Sequence, residues 1–217
     1  AVNNIGHCHP KVISAIQNQL QKHLHVMVYG EYVQDAQLAL SKELTKLLPS
    51  NLNCIYPVNS GAEANEAAIK LVKRTTNRHK IIAFEGGYHG STIGALSVSG
   101  NENKKRAFRP LMPGVDTIRL NNMDDLVLIS KETAGVILET IQGDAGVQIP
   151  SKQYLLALRK RCSKVGAILI FDEIQCGIGR TAKMFAFEHF NVIPDVLTLG
   201  KGLGGGTSIG VLVSSNK

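Results

Sequence analysis

Tryptophan is absent from this 217-residue chain, and phenylalanine and tyrosine bring the aromatic content to only 5%. Single-stranded nucleic acid is held by basic side chains interleaved with aromatic ones, so a nucleic-acid partner is not expected, although Lys and Arg outnumber Asp and Glu by 24 to 17. The basic excess is dispersed over Arg74, Arg78 and Lys80, then Lys104, Lys105, Arg106 and Arg109, then Arg159, Lys160 and Arg161, and reads as solvated helix faces. No apolar run approaches the roughly 18 to 20 uncharged residues that span a bilayer, and the N-terminus lacks the basic-then-apolar layout of a signal peptide. A cytoplasmic protein with no membrane partner is the expectation. Cys8, Cys54, Cys162 and Cys176 form no CxxC pair, which argues against both a zinc site and a disulfide framework. His7 and His9 flank Cys8 without further ligands at metal spacing and read as a solvated turn; no metal is expected. Internal repeats, low-complexity tracts and obvious linkers are also missing.

What is present is an ordinary globular composition, 44% hydrophobic and 19% charged. After Pro10, a residue suited to a first helical turn, Val12, Ile13, Ile16 and Leu20 fall at helical spacing. A second amphipathic helix is predicted over 35–48. Short apolar runs follow at 54–58, 80–84, 135–138, 167–171, 196–199 and 209–213, and several are apolar almost throughout, as strands covered on both faces are. Between the first two, Ala64, Ala67, Ala68, Leu71 and Val72 repeat at helical spacing; Leu155, Leu158 and Cys162 do so behind Ser151, a good N-cap. Strands alternating with helices predict an α/β fold with a mainly parallel, doubly wound sheet and helices on both faces. The chain divides into an N-terminal helical segment, 1–48, and a large domain, 49–217.

Ligands in such sheets sit beyond the carboxyl ends of the strands, and the distinctive residues fall there. Ser60 and Glu63 have the spacing of a capping box at the start of the alanine-rich helix, and free N–H groups at Gly61 and Ala62 would attract a phosphate. Tyr88 and His89 stand in a glycine-rich loop, Gly86 to Gly90, which suits stacking on a flat ligand. Asp172 and Glu173 end the 167–171 strand, where two carboxylates have little structural purpose. That strand also resembles the metal-binding strand of P-loop nucleotide hydrolases, but a P-loop needs Ser or Thr after its lysine, and Lys201 is followed by Gly202. Lys201 lies in a glycine run, 200–206, where a solubilising charge has no purpose. A crowded lysine forms a Schiff base with an aldehyde, and with Asp172 for a pyridinium nitrogen the pair matches what pyridoxal 5'-phosphate requires of a protein.

Five ordered motifs carry a resemblance: NSGAEANEAAIK (59–70), GGYHGST (86–92), ETIQGDAG (139–146), FDEIQCGIGRT (171–181) and LGKGLGGG (199–206). Together they resemble the class III aminotransferases, the branch of fold type I pyridoxal-phosphate enzymes that handles mainly ω-amino groups. The likeness runs from the GHCHP segment (6–10) to the glycine run after Lys201. It implies a transaminase moving an amino group from an amino acid or ω-amine to a 2-oxo acid such as 2-oxoglutarate, as a homodimer. By that resemblance Lys201 carries the cofactor and shuttles a proton, and Asp172 keeps the pyridine nitrogen protonated. Tyr88 stacks on one ring face and Ile174 presses on the other. Gln175 serves the phenolic oxygen, Gly61 and Ala62 hold the phosphate, Ser60 and His89 join the cofactor site, and Glu139 supports it from behind. Mutases, racemases, decarboxylases and phospholyases share these motifs and stay open as alternatives, as does a silent binding module. Three departures stand out. Ser91 replaces the arginine usual after the aromatic-His-Gly motif, Asp144 a glutamate, and Thr140 a common proline. The resemblance also implies a C-terminal domain beyond Lys217.

Overall fold

The computed structural model describes residues 2–24 and 32–216. Within the 1–48 segment lie α1 (Pro10–Lys22) and α2 (Asp35–Leu47), while residues 25–31 lie outside the described residues. His9 caps α1, its Nδ1 accepting from Lys11 N at 3.3 Å, so it takes part in helix initiation.

The sheet has seven strands: β1 (Cys54–Val58), β2 (Lys80–Phe84), β3 (Val115–Ile118), β4 (Thr133–Glu139), β5 (Ile168–Asp172), β6 (Val196–Gly200) and β7 (Gly210–Ser214). Their spatial order is β1-β7-β6-β5-β4-β2-β3. β7 is antiparallel to both of its neighbours, and every other pairing is parallel. Six strands therefore deliver their carboxyl ends to one edge. The expected strand at 209–213 is present, but it is the one that runs backwards. β3, with its polar centre Asp116-Thr117, offers no apolar run and was not anticipated; it occupies the far edge, half exposed.

Helices α3 (Gly61–Thr76), α4 (Ile93–Val98), the four-residue α5 (Glu102–Lys105) and α6 (Lys152–Val165) complete the α-helices among the described residues. The two sheet faces are sorted by strand alternation. Ile81 and Ala83 of β2 pack with Ala68, Ile69 and Val72 of α3, whereas Ile82 and Phe84 pack with Tyr154, Leu155 and Leu158 of α6. Small residues set how closely α3 approaches: a Cβ on Gly135 of β4 would stand 2.9 Å from Val72 Cγ2. Ser60 caps α3 by accepting from Glu63 N at 3.2 Å, and Glu63 Oε2 accepts from Asn59 N at 2.7 Å, one residue earlier than a reciprocal capping box. Ser151 caps α6, and Gly166 ends it in the left-handed region at φ 71°.

Two basic residues read as solvated are structural instead. Lys105 is buried and donates from Nζ to the carbonyls of Ser97 and Ser99, each at 2.9 Å, closing the end of α4. Arg78 donates to the carbonyls of Thr133, Val165 and Gly166, each at 3.0 Å, joining α6 to β4. All four cysteines are free. Among the described residues no helix is long and apolar enough to cross a membrane, and no group of His, Cys, Asp and Glu could hold a metal.

Candidate active site

Every residue expected at the cofactor site except Ser60 lines one cleft of ≈ 410 Å³ at the carboxyl edge of the sheet. Ser60 is half-buried and serves as the α3 cap. Topology explains the convergence: Glu139 and Asp172 are the last residues of β4 and β5, Lys201 follows β6, Tyr88 follows β2, and Gly61 opens the helix after β1.

Asp172 is buried at the cleft floor and fully engaged from behind. Its Oδ2 accepts from Asn65 Nδ2 at 2.8 Å and meets His89 Nδ1 at 2.7 Å, while its Oδ1 accepts from Ile174 N at 3.0 Å. Asn65 Nδ2 also donates to the His89 carbonyl at 2.7 Å, and Asn65 Oδ1 accepts from Thr198 Oγ1 at 2.8 Å. His89 N donates to Ser99 Oγ at 3.0 Å. With the carboxylate ionised, His89 Nδ1 is the donor, which leaves Nε2 buried and without a partner among the described residues. Asn65 and Thr198 went unnoticed in sequence; the readable signal was a polar residue on the buried face of an alanine-rich helix, because such a residue is retained there only when it is hydrogen-bonded.

Glu139 ties the walls together. Its Oε1 accepts from Tyr88 N at 2.7 Å and its Oε2 from Gly143 N at 3.2 Å, so one carboxyl clamps the loops after β2 and β4. Burial and then the Asp172 charge push its pKa above the usual carboxylate range, against the pull of the two amides.

Glu173 does not belong to the cleft. Its Oε1 accepts from Thr140 Oγ1 at 2.9 Å and Phe187 N at 2.7 Å, and its Oε2 from Ala186 N at 2.7 Å. Burial pushes its pKa up to about 7 despite those three donors. The second carboxylate thus has a structural purpose, contrary to expectation: it pins the 186–187 segment beneath the loop that carries Ile174 and Gln175. Thr140, one of the departures, is a partner in that arrangement.

Lys201 has φ 43°, in the left-handed region, and its Nζ donates to Gln175 Oε1 at 2.7 Å. Gln175 spends its oxygen on the lysine and keeps its amide hydrogens for another partner. A Cβ at Gly143 would fall 1.9 Å from Gln175 Nε2, so that position admits only glycine while Gln175 keeps this rotamer. Ile174 is fitted as closely: a Cβ on Gly61 would stand 2.8 Å from its Cδ1. At the mouth, Tyr88 Oη lies 3.1 Å from Ser91 Oγ, and Lys104 Nζ sits 5.0 Å from the Tyr88 ring centre while pairing with Asp144 Oδ2 at 2.5 Å.

These features define a doubly wound α/β protein with a lysine-bearing ligand cleft at the carboxyl edge of its sheet. The chain belongs to the class-III aminotransferases, whose family model matches residues 1–217. It is 41% identical over 215 residues to the acetylornithine aminotransferase of Methanopyrus kandleri, covering 99% of this chain and 55% of that protein. It is also 41% identical to the [LysW]-aminoadipate semialdehyde/glutamate semialdehyde transaminase of Sulfurisphaera tokodaii, covering 96% and 53%. The solved taurine:2-oxoglutarate aminotransferase of Bifidobacterium kashiwanohense, in complex with pyridoxal phosphate (PLP) and glutamate, superimposes with a TM-score of 0.91 at 30% identity, over 98% of this chain and 53% of that one. A transaminase from a marine Virgibacillus gives 0.92 at 29% identity. The chain thus spans about half the length of the curated relatives it matches.

Proposed function

We propose that this chain is the pyridoxal-phosphate-binding core of an aminotransferase that moves an amino group from an amino acid or ω-amine to a 2-oxo acid. The observation that carries the reading is the presence of Lys201 Nζ and the Asp172 carboxylate in one cleft, with Gln175 fixed against the lysine. The donor set fits the cofactor: one primary amine, one carboxylate held by neutral donors, an aromatic and an aliphatic side chain in the lining, and a helix start for the phosphate. Bound there, pyridoxal phosphate supplies an aldehyde for the lysine amine and a pyridinium ring that withdraws electrons.

Within that cleft Asp172 holds a proton on the pyridine nitrogen, because a carboxylate beside it favours the protonated ring. Tyr88 and Ile174 bracket the ring. The first amides of α3, at Gly61 and Ala62, take the phosphate with the positive end of the helix behind them. Gln175 offers its amide hydrogens to the phenolic oxygen. Lys201 would hold the cofactor through its Nζ amine, and the same nitrogen would serve to carry a proton when it is free. Ser60 acts through the α3 cap and His89 through Asp172, while Glu139 holds both loops in place.

Residues 49–217 form the cofactor-binding domain, preceded by the helical segment 1–48. The full-length protein is a cytoplasmic homodimer whose further domain completes the substrate site; this rests on the family and on the length of its relatives. The test is to incubate the chain with pyridoxal phosphate, reduce with borohydride and map the modified peptide. A single adduct at Lys201, with no effect of ATP, supports the reading; label scattered over other lysines overturns it.

A further inference from the structure

We propose that Asn65, with its amide oriented by Thr198, is the positioning residue that fixes the Asp172 carboxylate, through the chain Thr198 Oγ1 to Asn65 Oδ1 (2.8 Å) and Asn65 Nδ2 to Asp172 Oδ2 (2.8 Å). The inference deepens the cofactor reading and rests on it for the role of Asp172.

The direction of the chain follows from its partners. Asn65 faces two groups that accept, the His89 carbonyl and Asp172 Oδ2, and one group able to donate, the Thr198 hydroxyl. Only one amide orientation satisfies all three: nitrogen toward Asp172 and oxygen toward Thr198. A flipped amide would set its oxygen against a carboxylate and a carbonyl, leaving Asp172 short of a donor where no water substitutes readily. Asn65 and Thr198 are both wholly buried, so the cost of a broken link is not relieved by solvent.

The arrangement also explains why α3 carries a polar residue among Ala64, Ala68, Ile69 and Val72, its buried neighbours. Asn65 lies one turn into the helix whose start lines the phosphate end of the cleft, and Thr198 belongs to β6, which leads into Lys201. The same chain therefore ties three parts of the site to one another: the helix of Gly61 and Ala62, the carboxylate of β5, and the strand that delivers the lysine. His89 is the reporter. Its Nδ1 contacts the same Asp172 oxygen, and its Nε2 has no partner among the described residues. Any movement of Asp172 alters the protonated nitrogen of His89 and leaves no second bond to mask the change.

The test uses the chain labelled with nitrogen-15 in histidine, first without cofactor. In the wild type His89 shows a protonated Nδ1 and a bare Nε2, with the signal assigned by its loss in His89→Gln. Thr198→Val and Asn65→Ala shift that signal, while Thr198→Ser, which keeps the hydroxyl, restores it. Titration with pyridoxal phosphate then reads weaker binding in Thr198→Val and Asn65→Ala by roughly ten- to a hundredfold, the scale of one lost hydrogen bond to a buried charge. If Thr198→Val does not fold, Thr198→Ala and Asn65→Asp carry the same two readouts. His89 signals and cofactor affinity that both stay within about twofold of wild type overturn the proposal. A wild-type chain that takes no pyridoxal phosphate, while the variants still shift His89, keeps Asn65 as the residue that positions Asp172 and overturns the cofactor reading instead.

Discussion

Glu139 and Asp172 stand opposite one another in register at the carboxyl ends of β4 and β5. Two buried carboxyl groups on adjacent strands would repel, and the fold answers each with its own donors. Tyr88 N and Gly143 N face Glu139, and Asn65, His89 and Ile174 N face Asp172. The donors come from α3 and from the loops after β2, β4 and β5, with Tyr88 serving one carboxyl group and its neighbour His89 the other, so holding the carboxyl groups also draws the cleft walls together.

Lys201 adopts a left-handed backbone that costs a non-glycine residue roughly 1 kcal/mol or more. Lys201→Gly is therefore expected to unfold at a temperature no lower than the wild type while losing every borohydride-stable adduct. Thermal melts beside adduct mapping check both halves. A Lys201→Gly chain that still binds the cofactor covalently contradicts the assignment of the lysine.

Glu173 has a folded pKa of about 7, above its ordinary value of 4.5, so the folded chain binds more protons than the unfolded chain between those values. Stability contributed by the protonated group is complete below the unfolded pKa and is lost as pH rises toward about 7. Glu139 acts with the same sign. Urea unfolding from pH 4.5 to 7 should show stability declining in the wild type. Glu173→Gln should flatten that decline and cost about 1–3 kcal/mol overall, since one of the amides of Ala186 and Phe187 then lacks its acceptor. An unchanged slope in Glu173→Gln removes this residue as its source.

Gly61→Ala places a methyl group 2.8 Å from Ile174 Cδ1. Displacing Ile174 costs about 1–3 kcal/mol of stability by overpacking and moves one wall of the cleft. Pyridoxal-phosphate affinity should fall with it, while Gly146→Ala, with nothing within 4 Å of its Cβ, serves as a remote control despite its own backbone strain at φ 81°. Equal affinities in the wild type and Gly61→Ala would show that Ile174 does not meet the ring.

Ser91 offers one neutral hydroxyl, already within reach of Tyr88 Oη, where an arginine would grip a carboxylate by two parallel charge-assisted bonds. In the full-length protein Ser91→Arg should raise kcat/KM for N-acetylornithine relative to an uncharged diamine by about tenfold or more. A wild type that already prefers N-acetylornithine strongly shows that another residue supplies the grip.

Much of the architecture is legible in the chain. The apolar runs at 80–84 and 135–138 and the capped helices behind Ser60 and Ser151 correspond to β2, β4, α3 and α6. β3 was not legible because an edge strand needs no continuous apolar run, and Asp116 pairs instead with Lys80 at 2.7 Å. The reversal of β7 was hidden for another reason: apolar periodicity carries no direction. In the cleft, the glycine-framed residues Lys201 and Tyr88 announced themselves, but the structural task of Glu173 depends on Thr140, Ala186 and Phe187, which are distant in sequence. Asn65 was concealed by the regularity of the helix around it.

Among the described residues β1 pairs with β7 alone, Cys54 opposite Ser214 through Val58 opposite Gly210. A nascent chain therefore carries β1 unpaired until β7 leaves the ribosome, and the loop closed between them runs from residue 59 to residue 209. Such late, long-range pairing places this domain among the slower folders. It also means that the start of α3, which follows β1, is held at its sheet edge only once β7 has been made, although the rest of α3 already packs on β2, β4 and β6.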